Sequence, residues 1–241
     1  MSTPSFEFDT VRLARRILIG VLALEALLLV LNYTFNFFDI LNDISVRRIF
    51  NIAREQSLPT FFASLQAVAV GATAFTLWRL QRRDAAGERG WLFVAIFWTY
   101  VGIDDNAEIH ERLGSALERA SEGSGVLSNF PSFAWQLFVA PVLAAGLLAA
   151  VIVAWRHVER GRPLFLACLA CFAIAQGFDF LEGIENLFED WASGIGAAEY
   201  TVSHAFRAAE ETLEMLGTTA FWAPTLWLLA DRLRGREATF V

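Results

Sequence analysis

Acidic side chains are concentrated in three stretches of this sequence, each at the edge of a long apolar run. The stretches are "DDNAEIHERLG" from residue 104, "DFLEGIEN" from residue 179 and "HAFRAAEETLEML" from residue 204. Each contains two glutamates three positions apart, a spacing that places both side chains on one face of a helix. The candidate metal ligands that this pattern predicts are Asp104, Glu108, His110, Glu111, Asp179, Glu182, Glu185, His204, Glu211 and Glu214.

Carboxylates grouped in a low-dielectric environment need protons or a cation to neutralise part of their charge. Oxygen ligands favour Ca²⁺, Mg²⁺ or Mn²⁺, and a histidine in the same site would admit Fe or Zn. We therefore expect a divalent metal ion as the cofactor, with its identity left open. Arg207 is a candidate contact for an anionic substrate or head group, while Ser64 and Gln136 are candidate donors to the ligands. For Asp105 and Glu210 we expect exposed surface positions.

The segments that carry these residues are long and apolar. Hydrophobic residues make up 56% of the 241 positions, and the mean hydropathy is +0.45. Since a bilayer of ~30 Å needs ~20 helical residues, the sequence predicts an all-α membrane bundle in a single domain over residues 1–241. The six expected spans are approximately 15–34, 59–80, 91–112, 131–155, 163–187 and 200–231. Pro141 and Pro224 are expected to bend the fourth and sixth spans.

Arginine placement predicts the orientation of the bundle. The two termini and the even-numbered connections carry 13 arginines, against five in the other connections. This bias predicts that both termini lie in the cytoplasm. Counting ~1.5 Å per residue then puts Asp104, Asp179 and Glu214 at a similar depth in the outer part of the bilayer. Between the first two spans, "NFFDILNDISVRRIFNIAREQSLP" predicts a short interfacial helix on the outer surface, ended by Pro59.

Other features of the sequence exclude some functions. The chain contains no lysine, which excludes a lysine Schiff base and a P-loop, and no basic stripe indicates nucleic acid. The two cysteines, Cys168 and Cys171, lie one helical turn apart in an apolar run, a spacing typical of helix packing. Glu25 is a lone acid in the first span, expected to face the bundle either protonated or bonded to a neighbouring helix.

The stretches "IDDNAEIHERLG" and "AAEETLEMLG" resemble segments of uncharacterised bacterial multipass proteins. In those proteins the third span ends in an acidic His-Glu motif and the last span carries paired glutamates. The resemblance implies a bacterial multispan fold and no particular activity.

Three functions remain open on the sequence alone. The first is cation binding at the extracytoplasmic side, with cation transport as the activity. The second is a metal-dependent membrane enzyme that acts on a lipid or small substrate at the outer leaflet. The third is a structural subunit of a homo-oligomer or a larger membrane complex. All three weaken if the acidic helix ends project into bulk water, because the carboxylates would then be solvated.

Overall fold

The computed structural model describes residues 9–38, 40, 41, 43–81, 88–121, 130 and 132–237, and these residues form helices and turns without a strand. The helices are α1 (Thr10–Asn32) with a π-helical extension (Tyr33–Phe37), α2 (Ile44–Phe50), α3 (Leu58–Gln81), α4 (Glu88–Ala107), α5 (Ile109–Ser121), α6 (Trp135–Phe138), α7 (Ala140–His157), α8 (Arg162–Glu182), α9 (Leu187–Ile195) and α10 (Glu199–Glu237). The predicted all-α class is confirmed over this part of the chain.

Four helical segments are long and apolar enough to cross a membrane, which indicates a membrane protein. They are Thr10–Phe37, Leu58–Gln81, Ala140–His157 and Arg162–Glu182. On α1, large apolar side chains such as Ile19, Leu27 and Val30 are exposed, as expected of a surface that faces lipid. The third and sixth expected spans, which contain α4 and α10, are not among the four, so the number of six spans stays a prediction.

Helix α10 is the centre of the bundle. It packs against α8, α1 and α3, and α3 packs along the length of α4. The interior is filled by aromatic side chains: the Phe221 ring lies 5.0 Å from Trp98 and 5.3 Å from Phe165, measured between ring centroids. With 39 residues, α10 is about 58 Å long, roughly twice the hydrocarbon thickness of a bilayer.

The third expected span is broken at Glu108, which adopts φ 54° and separates α4 from α5. A non-glycine residue in this left-handed region is uncommon and marks a change of chain direction. Asp104 stabilises the break, because its Oδ1 accepts the backbone N–H of His110 at 3.1 Å. The expectation that Glu108 and Glu111 lie on one face of a continuous helix is therefore wrong, since Glu108 lies at the break and Glu111 lies on α5.

The fourth and fifth expected spans are also shorter than predicted. Residues 135–138 form the short α6, and α7 begins at Ala140, so Pro141 stands in the first turn of a helix instead of bending one. Helix α8 ends at Glu182, and Asn186 at φ 60° precedes the separate helix α9. Pro224 lies inside α10, as expected.

The connection after α1 contains the short helix α2, which matches the predicted helix in position. Asp43 caps it by accepting the backbone N–H groups of Ser45 at 2.8 Å and Val46 at 3.1 Å. The helix ends at Phe50, whereas Pro59 lies in the first turn of α3. Pro59 therefore starts a helix and does not end one, because a proline at the first turn sacrifices no helical hydrogen bond.

Helices α3 and α4 approach closely at Gly102. A Cβ atom at this position would lie 2.6 Å from the Ser64 carbonyl oxygen and 3.0 Å from Val68 Cγ2. We expect Gly102→Ala to reduce the free energy of unfolding by about 1–3 kcal/mol, because the backbone contact cannot relax by a rotamer change. Unfolding in detergent micelles measures this loss. The control is Gly177→Ala on α8, where a Cβ atom meets nothing within 4 Å. Equal effects of the two substitutions would contradict close packing at Gly102.

Candidate functional site

A cavity of about 420 Å³ lies where α5, α6, α8 and α10 meet the connection before α3, and we name it the acidic pocket. Its lining consists of Ala53, Arg54, Glu55, Glu111, Gly114, Ser115, Glu118, Phe133, Ala134, Trp135, Asp179, Glu182, Arg207, Glu210 and Glu211. Seven of these side chains are carboxylates and two are arginines. The pocket is therefore strongly negative when its carboxylates are ionised.

The structure brings several of the predicted ligands to this pocket from three different helices. Glu111 comes from α5, Asp179 and Glu182 from α8, and Glu211 from α10. Arg207, predicted as a contact for an anionic group, lines the same pocket and forms an ion pair with Glu182. This pair neutralises one carboxylate, and the lining as a whole contains more carboxylates than arginines.

Asp104 and His110 form a hydrogen-bonded pair next to the pocket. His110 Nδ1 lies 2.7 Å from Asp104 Oδ2, and the Tyr100 hydroxyl donates to Asp104 Oδ1 at 3.2 Å. An ionised aspartate only accepts, so the pair places the proton of the neutral imidazole on Nδ1 and leaves Nε2 as the basic nitrogen. The imidazole is held by the Trp135 ring, at a centroid distance of 4.5 Å. Such an oriented imidazole can act as a general base.

The predicted donors Ser64 and Gln136 each bond to a carboxylate. Ser64 Oγ donates to Asp105 Oδ2 at 2.7 Å, and Gln136 Nε2 donates to Asp179 Oδ2 at 2.6 Å. Asp105 is thus held between α3 and α4, and the expectation of an exposed Asp105 is wrong. The same correction applies to Glu210, which lines the acidic pocket.

The remaining predicted ligands lie outside the pocket lining. Glu108 pairs with Arg112 at 3.2 Å, and Glu185 is exposed in the turn after α8. His204 is buried, and its Nε2 lies 3.2 Å from the Asn32 amide nitrogen, which can only donate. His204 therefore ties α10 to α1, because its ring nitrogen accepts from that amide. Glu214 lies close enough to Asp105 and His110 for their charges to act on its carboxyl group.

Glu55 is a pocket residue that the sequence did not single out. It lies in the connection between α2 and α3, and its Oε2 is buried without a hydrogen-bond partner among the described residues. Burial, together with the nearby charges of Asp105, Glu111 and Glu108, raises the pKa of Glu55 to about 7. Its position three residues before α3, at the predicted outer end of the second span, is the only hint that the sequence carried.

The structure contains no preformed cage for a metal ion within the ranges that it describes. No group of three or more histidine, cysteine or acidic side chains there is arranged to hold one ion. The acidic residues of the lining instead surround an open volume, and some of them already have a partner, such as Gln136 for Asp179 and Arg207 for Glu182.

Comparison with known proteins gives one match. A family model described as "Domain of unknown function (DUF8692)" matches residues 21–229, a range that contains the acidic pocket. This agrees with the resemblance to uncharacterised proteins. No curated protein and no solved structure matches the chain.

The raised pKa of Glu55 predicts a pH-dependent stability. Between its ordinary pKa of 4.5 and about 7, the folded protein holds more protons at Glu55 than the unfolded chain does. The free energy of unfolding therefore falls as the pH rises through this range. We expect Glu55→Gln to raise the melting temperature in detergent at about pH 8 and to leave it almost unchanged at about pH 5.

The matched control for this measurement is Glu189→Gln, which removes an exposed carboxylate on α9. It should change the melting temperature equally little at both pH values. If the Glu55→Gln variant and the wild type had the same melting temperature at every pH, this would contradict a protonated Glu55.

Proposed function

The chain belongs to the DUF8692 family, and we propose that it is a membrane protein that binds a hydrated divalent cation in the acidic pocket and transports it. In this proposal the chain forms one membrane domain with six spans, both termini in the cytoplasm, in a bacterial inner membrane. The arginine bias supports this orientation, in which the acidic pocket faces the extracytoplasmic side.

One observation carries the proposal: seven carboxylates surround one cavity of about 420 Å³ that contains two arginines. Carboxylates that line one cavity repel each other unless a positive charge or protons lie between them. A cation in the pocket would relieve this repulsion and would therefore stabilise the fold.

The geometry favours a cation that keeps part of its water shell. Mg²⁺ dehydrates reluctantly and is commonly held by one or two carboxylates together with several waters, so it does not need a cage of three protein ligands. Asp179 of α8 and Glu211 of α10 both line the pocket, and they are the carboxylates to which we assign this role. Glu111 would complete the site from α5. A zinc site, by contrast, takes three or four protein ligands in direct contact with the ion.

Binding is tested with Mn²⁺ as a paramagnetic probe, because electron paramagnetic resonance distinguishes free from bound Mn²⁺. We expect saturable binding by the purified protein in detergent and displacement by Mg²⁺. Glu211→Gln and Asp179→Asn should each weaken binding at least about tenfold, which corresponds to ~1.4 kcal/mol. Glu189→Gln, outside the pocket lining, should bind like the wild type. Lack of saturable binding by the wild type would overturn the proposal.

Transport is tested separately by Mn²⁺ entry into proteoliposomes loaded with a fluorescent chelator. Entry that is lost in Glu211→Gln and retained in Glu189→Gln would support transport. Tight binding without entry would favour the second candidate function.

The Asp104–His110 pair favours that second candidate, a metal-dependent enzyme at the membrane surface. His110 Nε2 would accept a proton from a cation-bound water, and Arg207 would contact an anionic part of a lipid or small substrate. We expect His110→Gln to bind Mn²⁺ normally if the protein is this enzyme, while the release of lipid head groups falls at least about a hundredfold. Mass spectrometry of lipid vesicles incubated with the protein measures this release. Vesicles that stay intact with wild-type protein and Mn²⁺ would exclude this activity on the lipids present.

A further inference from the structure

Glu25 lies inside the bundle, in the middle of α1, where only 4% of its surface is exposed. Gln66 of α3 donates from Nε2 to Glu25 Oε1 at 2.8 Å, and Thr219 of α10 donates from Oγ1 to the same oxygen at 2.6 Å. One carboxyl group therefore joins three helices, and the acidic pocket does not include it.

The other oxygen of the Glu25 carboxyl group and the oxygen of the Gln66 amide form the second part of this contact. Glu25 Oε2 and Gln66 Oε1 are both fully buried, and neither has a hydrogen-bond partner among the described residues. An ionised carboxylate and an amide carbonyl can only accept, so two acceptors remain unsatisfied on side chains that are already joined. Buried acceptors without a donor are unfavourable, which indicates that the contact needs one more proton.

The surrounding helices offer little positive charge to balance an ionised Glu25. On α1 the nearest arginine is Arg16, nine residues away, or about 13 Å along the helix. On α3 the only ionisable side chain is Arg79, thirteen residues from Gln66, or about 20 Å. On the other elements that pack against α1, the described titratable and charged side chains are Tyr33 on the π-helical extension, Arg47 and Arg48 on α2, and, on α10, Glu199, Tyr200, His204, Arg207, Glu210, Glu211 and Glu214 before Thr219 and Asp231, Arg232 and Arg234 after it. Arg232 is the nearest of the arginines that follow Thr219, thirteen residues away, or about 20 Å along the helix.

We propose that Glu25 is a proton-binding site, held as a neutral carboxylic acid by a cyclic pair with the Gln66 amide. In such a pair the amide N–H donates to the acid carbonyl oxygen, and the acid O–H donates to the amide oxygen. The first of these bonds is present at 2.8 Å, and a proton on Glu25 Oε2 forms the second with Gln66 Oε1. One proton thus satisfies both acceptors and removes the buried charge.

The proton-binding site is separated from the acidic pocket along the bundle. Thr219 lies eight residues beyond Glu211 on α10, so Glu25 lies about 12 Å deeper along the bundle than the acidic pocket. Met215 lies between them, and its carbonyl oxygen accepts from Gln66 Nε2 at 3.2 Å. The proposal does not depend on what the acidic pocket binds.

Infrared spectroscopy tests the proposal directly, because a protonated carboxyl group has its own carbonyl stretching band. At neutral pH we expect this band in the difference spectrum between wild type and Glu25→Gln, and we expect it to shift in D₂O. Gln66→Leu should shift the band, since the carbonyl loses a donor. Glu189→Gln should leave the band in place. The absence of any such band from the difference with Glu25→Gln would overturn the proposal.

Stability gives an independent outcome. An amide reproduces one donor and one acceptor of a neutral acid, so Glu25→Gln should keep the wild-type melting temperature at neutral pH, whereas Glu25→Leu should lower it. If Glu25 were ionised, Glu25→Gln would remove a buried charge and would supply a donor for Gln66 Oε1, so it would raise the melting temperature above that of the wild type. That result would contradict a neutral Glu25.

Discussion

Carboxyl groups packed among apolar helices require a partner, and this requirement explains much of the arrangement around α10. The bundle meets it in different ways at different carboxylates. Asp104 accepts from His110 and Tyr100, Asp105 accepts from Ser64, and Glu182 pairs with Arg207. Apart from the Tyr100 contact, which lies within α4, each of these contacts joins two different helices. The polar contacts therefore position the helices in addition to satisfying individual groups, since an unpartnered carboxylate in such surroundings would be strongly unfavourable.

Three non-glycine residues with positive φ interrupt the helical structure, and the interruption at Glu108 serves the same requirement. Gln56, Glu108 and Asn186 adopt positive φ values, and they lie just before α3, between α4 and α5, and just before α9. At Glu108 the interruption turns His110 back toward Asp104, which an unbroken helix could not do at a spacing of six residues. Helix ends also leave room between elements. The acidic pocket occupies that room. If α4 and α5 formed one continuous helix, Glu111 would point in another direction.

The sequence predicted the residue types at the site better than their partners. The position of Glu111, Asp179, Glu182 and Glu211 beside the apolar runs indicated carboxylates on three helices, and all four line the acidic pocket. Helical periodicity, however, assumes that the helix continues. It could not show that the chain turns at Glu108, nor that Glu55 enters the pocket from a connection without regular structure. It also assigned Asp105 to the surface, because the Ser64 hydroxyl that bonds to it comes from a helix forty residues earlier in the chain.

Composition and hydrophobic run length determined the fold class by themselves, because apolar helical segments of this length have few alternatives to a membrane bundle. They also determined that most of the site's acids lie beside the apolar runs, since that position is a matter of order along the chain. Tertiary structure alone decided which acids meet. Whether a carboxylate bonds to a donor, an arginine or another helix depends on contacts between residues far apart in sequence. The Glu25–Gln66–Thr219 contact spans 194 positions, so no local pattern could have predicted it.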